Sequence, residues 1–185
     1  MIKYVDTKVV FQEIPDETTL AINISNCPCN CKGCHSSYLA EDIGKELLWG
    51  DWASRKGRAN SLFNLIVQNK GITCVAFMGG DSDPRTINEL AKKIKWTNDN
   101  VEPFVKNVLT EEMEWQWSPI KVAWYSGRQE LSPDIDLRNF DYIKLGPYIE
   151  EKGPLSSKTT NQVMLQIDNS CGRSMVKDIT SHFWK

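Results

Sequence analysis

The chain has no apolar run approaching the ~20 residues that a membrane-spanning helix requires, which argues against a membrane-embedded protein. Met1–Asp6 carries no basic segment leading into an apolar one, so no secretory leader is expected and the cytoplasm is the expected compartment. Charge of one sign is equally scarce. Lys and Arg number 22 against 24 Asp and Glu, giving a formal net charge of -2. Without a cluster of Lys or Arg there is no counterion-release drive toward nucleic acid, and no nucleic-acid partner is expected. Repeats, low-complexity tracts and convincing linkers are absent too. A chain of 185 residues can bury a substantial core unaided, so residues 1–185 are read as a single domain. At 41% hydrophobic and 25% charged residues, the composition is that of a soluble, folded protein.

Against these absences stands an excess of one residue type in one place. Four of the six cysteines fall within Cys27–Cys34, too close together to cross-link distant segments, and local metal binding explains the crowding better than disulfides do. Leu20, Ile22 and Ile24 alternate with polar or small residues, so residues 18–24 read as a half-buried strand leading into the cysteine loop. Residues 59–69 space Leu62, Phe63, Leu65 and Ile66 as a helix, with Lys70-Gly71 as its stop. A strand over 72–78 follows and ends at Gly79-Gly80-Asp81. The next helix starts with Asp83 as N-cap and Pro84 in its first turn, and buries Ile87, Leu90, Ala91 and Ile94. Residues 97–119, with Met113, Trp115 and Trp117, show no clean period and read as irregular or short helix.

Further strands are expected at 121–125, 141–145 and 162–167, with residues 150–160 as a loop. Strands separated by helices predict an α/β fold with a mostly parallel sheet, whose ligands gather at the carboxyl ends of the strands. The cysteine loop, Gly79-Gly80-Asp81 and Tyr125-Ser126-Gly127-Arg128 all follow such ends.

Cys27, Cys31 and Cys34 are spaced Cys-x3-Cys-x2-Cys. Three thiolates can hold three irons of a [4Fe-4S] cluster and leave the fourth iron open to a substrate. The alternative is a structural zinc site drawn from Cys27, Cys29, Cys31, Cys34 or His35. Such sites usually take ligands from two separated pairs, and the chain has no second Cys-x2-Cys or His pair. Cys29 could stand in for one of the three ligands, but Cys-x-Cys spacing suits neighbouring irons poorly, and it is read as a nonligand neighbour. Cys74, in an apolar strand, reads as core; Cys171 has no metal partner in view.

On this three-cysteine signature the chain resembles the radical S-adenosylmethionine superfamily. Cys31-Lys32-Gly33-Cys34-His35 is similar to the third-cysteine segment of the activating proteins of anaerobic ribonucleoside-triphosphate reductases. The resemblance continues through Met78-Gly79-Gly80-Asp81, although Ser82 and Asp83 here precede Pro84, and through Tyr125-Ser126-Gly127. It reaches residues 141–149 and, loosely, 156–162.

The resemblance implies a shortened, open version of a partial βα barrel. It implies a [4Fe-4S] cluster on Cys27, Cys31 and Cys34, and S-adenosyl-L-methionine bound beside Gly33, Cys34 and His35, Gly79 and Gly80, Asp81, Tyr125 and Ser126. The expected activity is generation of a glycyl radical on an anaerobic ribonucleoside-triphosphate reductase, with an electron donor such as flavodoxin. No acid or base residue is required, in keeping with only two histidines, His35 and His182. Rival readings are a radical enzyme acting on a small molecule or on another glycyl-radical enzyme, and a non-catalytic zinc-binding module.

Overall fold

The computed structural model describes residues 1–50, 61–100 and 118–185. The pattern of burial along the strands explains the architecture. In β4 (Cys74–Met78) Cys74, Val75, Ala76 and Phe77 are all fully buried, so both faces of this strand must be covered. Val75 and Phe77 point to one face and Cys74 and Ala76 to the other, the period-2 consequence of the pleat. β5 (Lys121–Tyr125) repeats the division, with Val122 and Trp124 against Ala123 and Tyr125.

The first face is covered by α1 (Leu62–Gln68) and α2 (Pro84–Asp99), through Leu62, Leu65 and Ile66 and through Ile87, Leu90, Ala91 and Ile94. The second is covered by Ile14, Leu155, Ile179 and Phe183, which lie outside the strands and α-helices, Phe183 at the end of a 3-10 turn.

The other strands are β1 (Lys3–Val10), β2 (Thr19–Ile24), β3 (Lys45–Glu46), β6 (Tyr142–Leu145), β7 (Val163–Asp168) and β8 (Met175–Asp178). They form one open sheet in the order β3-β1-β2-β4-β5-β6-β7-β8. β2, β4, β5 and β6 run parallel, and every pairing outside them is antiparallel. The fold is therefore mixed α/β. The expected parallel arrangement holds for the centre and gives way at both flanks, where β1, β3, β7 and β8 pair antiparallel.

β1 and β8 are not foreshadowed by sequence periodicity. β8 is exposed along its whole length and β1 is mostly half-buried or exposed, so neither carries the apolar alternation that marks a strand covered by a core. Their pairing comes from neighbouring backbone.

α1 begins at Leu62 because the Ser61 side chain accepts a hydrogen bond from the Asn64 N–H, at 3.3 Å. α2 begins as its sequence indicates: Asp83 accepts from the Thr86 N–H (3.1 Å) and hydroxyl (2.7 Å). It runs on to Asp99, past the last apolar position of its stripe, and Asn98 fastens this end to Ile120 through paired bonds of 2.8 and 3.0 Å. Met113, Trp115 and Trp117 lie outside the described residues. The expected loop at 150–160 contains one short 3-10 turn, Glu150–Lys152.

The register of the parallel strands decides where the ligand-binding ends meet. Asn23 pairs with Met78, Met78 with Tyr125 and Tyr125 with Lys144, so four strands finish in one row. No described helix is long and apolar enough to cross a membrane.

Candidate functional site

Beyond that row the chain leaves β2 through Ser25 and Asn26 into the cysteine loop. The Asn26 N–H donates to the Glu41 carbonyl (2.9 Å) and the Cys27 N–H to the Leu39 carbonyl (2.8 Å), closing the loop on the short 3-10 helix Ser37–Ala40. Asn26, Asn30 and Gly33 turn it with φ of 60, 40 and 73°. Glycine and asparagine tolerate this left-handed conformation best. The result is a loop whose four cysteines are all half-buried and unpaired.

Cys27, Cys29, Cys31 and Cys34 line a cavity of about 240 Å³ together with His35, Gly79, Asp81, Tyr125 and Ser126. Two roomier cavities, of about 540 and 530 Å³, lie beside Asp141 and beside His182 and are lined by no cysteine. Donor chemistry, not size, singles out the first.

Gly33 and Gly80, both expected at the site, stand behind the wall. Gly33 packs under the Tyr148 ring, where an added Cβ would be 3.4 Å from Cε1. Gly80 faces α2: a Cβ there would lie 2.6 Å from Ile87 Cδ1, so this glycine lets the helix approach the strand end. Gly79 lines the cavity, but its N–H donates to the Tyr125 carbonyl (3.0 Å) and its carbonyl accepts from the Trp124 indole (2.7 Å). The Tyr125 hydroxyl is directed away, donating to the Glu13 carbonyl, and burial pushes its pKa up.

Asp81 is only 1% exposed. One oxygen accepts from the Ser126 hydroxyl at 2.5 Å and the other from the Gly127 N–H at 2.8 Å. Arg128 donates to the Asp81 carbonyl (2.6 Å) and holds its Nε 3.6 Å from the carboxylate. The carboxylate thus bolts the end of β4 to the end of β5.

Among the cavity residues, Cys29, Gly127 and Lys144 have roles that the sequence does not indicate. Cys29 reads from its spacing as a nonligand neighbour, yet its thiol donates to the second Asp81 oxygen at 3.8 Å. Burial, then the Asp81 charge, push its pKa up to about 12. Gly127 makes this contact possible, since a Cβ on it would stand 2.6 Å from Cys29 Sγ. Lys144 is 9% exposed, and its ammonium donates to the carbonyls of Gly146 (2.6 Å) and Ser126 (3.4 Å), with no carboxylate in hydrogen-bonding range among the described residues. Burial lowers its pKa to about 8, against the opposing pull of Asp81 and of Cys31, Cys29 and Cys34. The signal available in the sequence was parity: a lysine amid the apolar residues of β6, in register with Tyr125.

Cys74 is fully buried and its thiol is pushed up by burial, as a core residue should be; Cys171 is exposed, with a Ser170 hydroxyl as neighbour.

The donor set fits an iron–sulfur cluster in its chemistry. Three thiols at the proposed spacing share one cavity wall, and a buried ammonium would offset the negative charge of thiolate ligands. No family model, no curated protein and no solved structure matches the chain.

Proposed function

We propose that this chain is a radical S-adenosylmethionine activating enzyme, a cytoplasmic protein whose open sheet is a shortened version of the superfamily's partial βα barrel. Its partner would be an anaerobic ribonucleoside-triphosphate reductase, and its electron donor a protein such as flavodoxin. The observation that carries this reading is the meeting of Cys27, Cys31 and Cys34 with Gly79, Asp81, Tyr125 and Ser126 around one cavity at the carboxyl ends of the parallel strands.

Cys27, Cys31 and Cys34 would hold the [4Fe-4S] cluster through their thiolates. When bound, the cluster would supply the one-electron reduction that cleavage of S-adenosylmethionine and removal of a hydrogen atom from a partner glycine require. The remaining residues bind and orient. Asp81 has lone pairs beyond those used by Ser126 and Gly127 and can accept from an amino-acid ammonium. Lys144 keeps a positive charge in the wall of a cavity lined with thiols, which favours an anionic occupant. His35 is exposed at the rim, where its ring can pack against a bound cosubstrate.

Anaerobically purified protein should contain iron and sulfide. Cys27→Ala, Cys31→Ala and Cys34→Ala should each abolish the visible absorbance, and Cys29→Ala, Cys74→Ala and Cys171→Ala should retain it. With reductant, S-adenosylmethionine and the reductase, electron paramagnetic resonance should show a carbon-centred doublet that collapses when the reductase carries deuterated glycine. One equivalent of zinc and no iron after anaerobic reconstitution would sink the cluster. Deoxyadenosine formed in step with modification of a small molecule, and no radical on the reductase, would leave the cluster standing and remove the activating role.

A further inference from the structure

The thiols of Cys27 and Cys29 and a carboxylate oxygen of Asp81 all lie within 4.8 Å of one another. We infer that these three residues form a mononuclear site for a thiophilic divalent cation of the zinc type, separate in its ligand set from the cluster site and sharing only Cys27 with it.

Distance is the first argument. With metal–sulfur bonds of about 2.3 Å and metal–oxygen bonds of about 2.0 Å, the edges of a tetrahedron are about 3.5 Å from sulfur to oxygen and about 3.8 Å between sulfurs. Cys29 Sγ and Asp81 Oδ2 are 3.8 Å apart. That is long for a thiol hydrogen bond and close to the edge a cation would span.

Orientation is the second. A carboxylate ligand binds tightly when its other lone pairs are held, and Asp81 is held by Ser126 Oγ at 2.5 Å and by the Gly127 N–H at 2.8 Å. Oδ2, which accepts from the Gly127 N–H, is also the oxygen that faces Cys29 Sγ. Gly127 contributes by having no Cβ, which would stand 2.6 Å from Cys29 Sγ and push it out of reach of Asp81.

Balance is the third. Binding replaces two thiol protons, which leave to solvent, with one divalent cation. Two thiolates and a carboxylate then face a charge of two, and the fourth position is free for water. Because Cys27 belongs to both ligand sets, cation and cluster exclude one another. The inference stands on these contacts and does not depend on the radical chemistry.

The test uses the full-length, cluster-free chain, reduced and titrated anaerobically with Co²⁺ alone. One equivalent should produce the intense ligand-field bands and thiolate-to-cobalt charge transfer of a tetrahedral site, displaced by Zn²⁺. Cys27→Ala and Cys29→Ala should abolish these bands, and Asp81→Asn should weaken binding tenfold or more. A chain carrying both Cys31→Ala and Cys34→Ala should bind as the wild type does. Thermal unfolding of Cys29→Ala separates lost ligation from lost folding. Bands that persist in Cys27→Ala or Cys29→Ala, an unchanged affinity in Asp81→Asn, or bands that vanish in the Cys31→Ala/Cys34→Ala chain overturn the inference. Iron loading of Cys29→Ala reports on the cluster independently of either result.

Discussion

Asp81 serves two demands with one carboxylate. It satisfies the Ser126 hydroxyl and the Gly127 N–H, both at a buried strand end, and under the proposed function it also receives the cosubstrate's ammonium. Asp81→Ala leaves the Gly127 N–H without a partner and should cost about 1–3 kcal/mol in urea unfolding. Asp81→Asn keeps one acceptor oxygen and should cost less, so this variant isolates the ligand role. In it, S-adenosylmethionine affinity should fall roughly tenfold or more while iron content stays constant. An unchanged affinity would move the ammonium contact elsewhere. Lys144 makes a second prediction at this scale. Its pKa is lowered to about 8 by burial, below its unfolded value. Between about pH 8 and about pH 10.4 the unfolded chain therefore carries a proton that the folded chain has lost, and Lys144's contribution to stability rises with pH across that window. Below it, the buried ammonium is a cost. Relative to Lys144→Met, the cluster-free wild type should gain about 3 kcal/mol at most as pH rises through this range. A flat difference between the two proteins would mean that the ammonium is better solvated than its burial indicates.

At the scale of elements, α2 shows why some boundaries can be read directly. Its N-cap, its first-turn proline and its apolar stripe lie within one short stretch of chain, and each acts on its immediate neighbours. Asp83→Ala should cost about 1 kcal/mol in chemical denaturation and Asp83→Ser much less, because serine restores the acceptor for the Thr86 N–H. The junction between β4 and α2 carries a tighter constraint. Gly80 has a φ of 89° and meets Ile87 where a Cβ would go. Gly80→Ala should therefore destabilise, and Ile87→Ala should relieve the clash but not the backbone strain. A double-mutant cycle gives the coupling: the two changes together should cost less than their sum. Additivity would show that the helix shifts freely away from the strand end. The Trp-rich stretch between α2 and β5, outside the described residues apart from its first positions, has no such local punctuation.

For the whole molecule, the consequence of the proposed cluster is a stability linked to metal. A group that binds the folded chain through three thiolates of one loop, and not the unfolded chain, raises the unfolding temperature by mass action. Anaerobic reconstitution should raise it, and removal of iron by chelation should reverse the gain. The same treatment of Cys34→Ala should produce no gain. Equal stabilisation of both proteins would assign the effect to adventitious iron.

Sequence alone determined the elements whose signals are local: the place of β2, although that strand is buried on both faces and not half-buried as its alternation implied, the apolar runs of β4 and β5, the capped start of α2 and the crowding of thiols between Cys27 and Cys34. Those signals depend on side-chain period and on neighbours a few residues away. The tertiary structure alone decided that Cys29 meets Asp81, 52 residues on, that Gly80 serves packing while Gly127 serves the site, and that Lys144 is buried beside the thiols. It also decided that the sheet ends in antiparallel flanks built from strands with little apolar pattern of their own. The physical reason is common to all of these. Contacts between distant segments follow from the register of the parallel strands, and register is set by packing on both faces of the sheet at once, which no single stretch of sequence encodes.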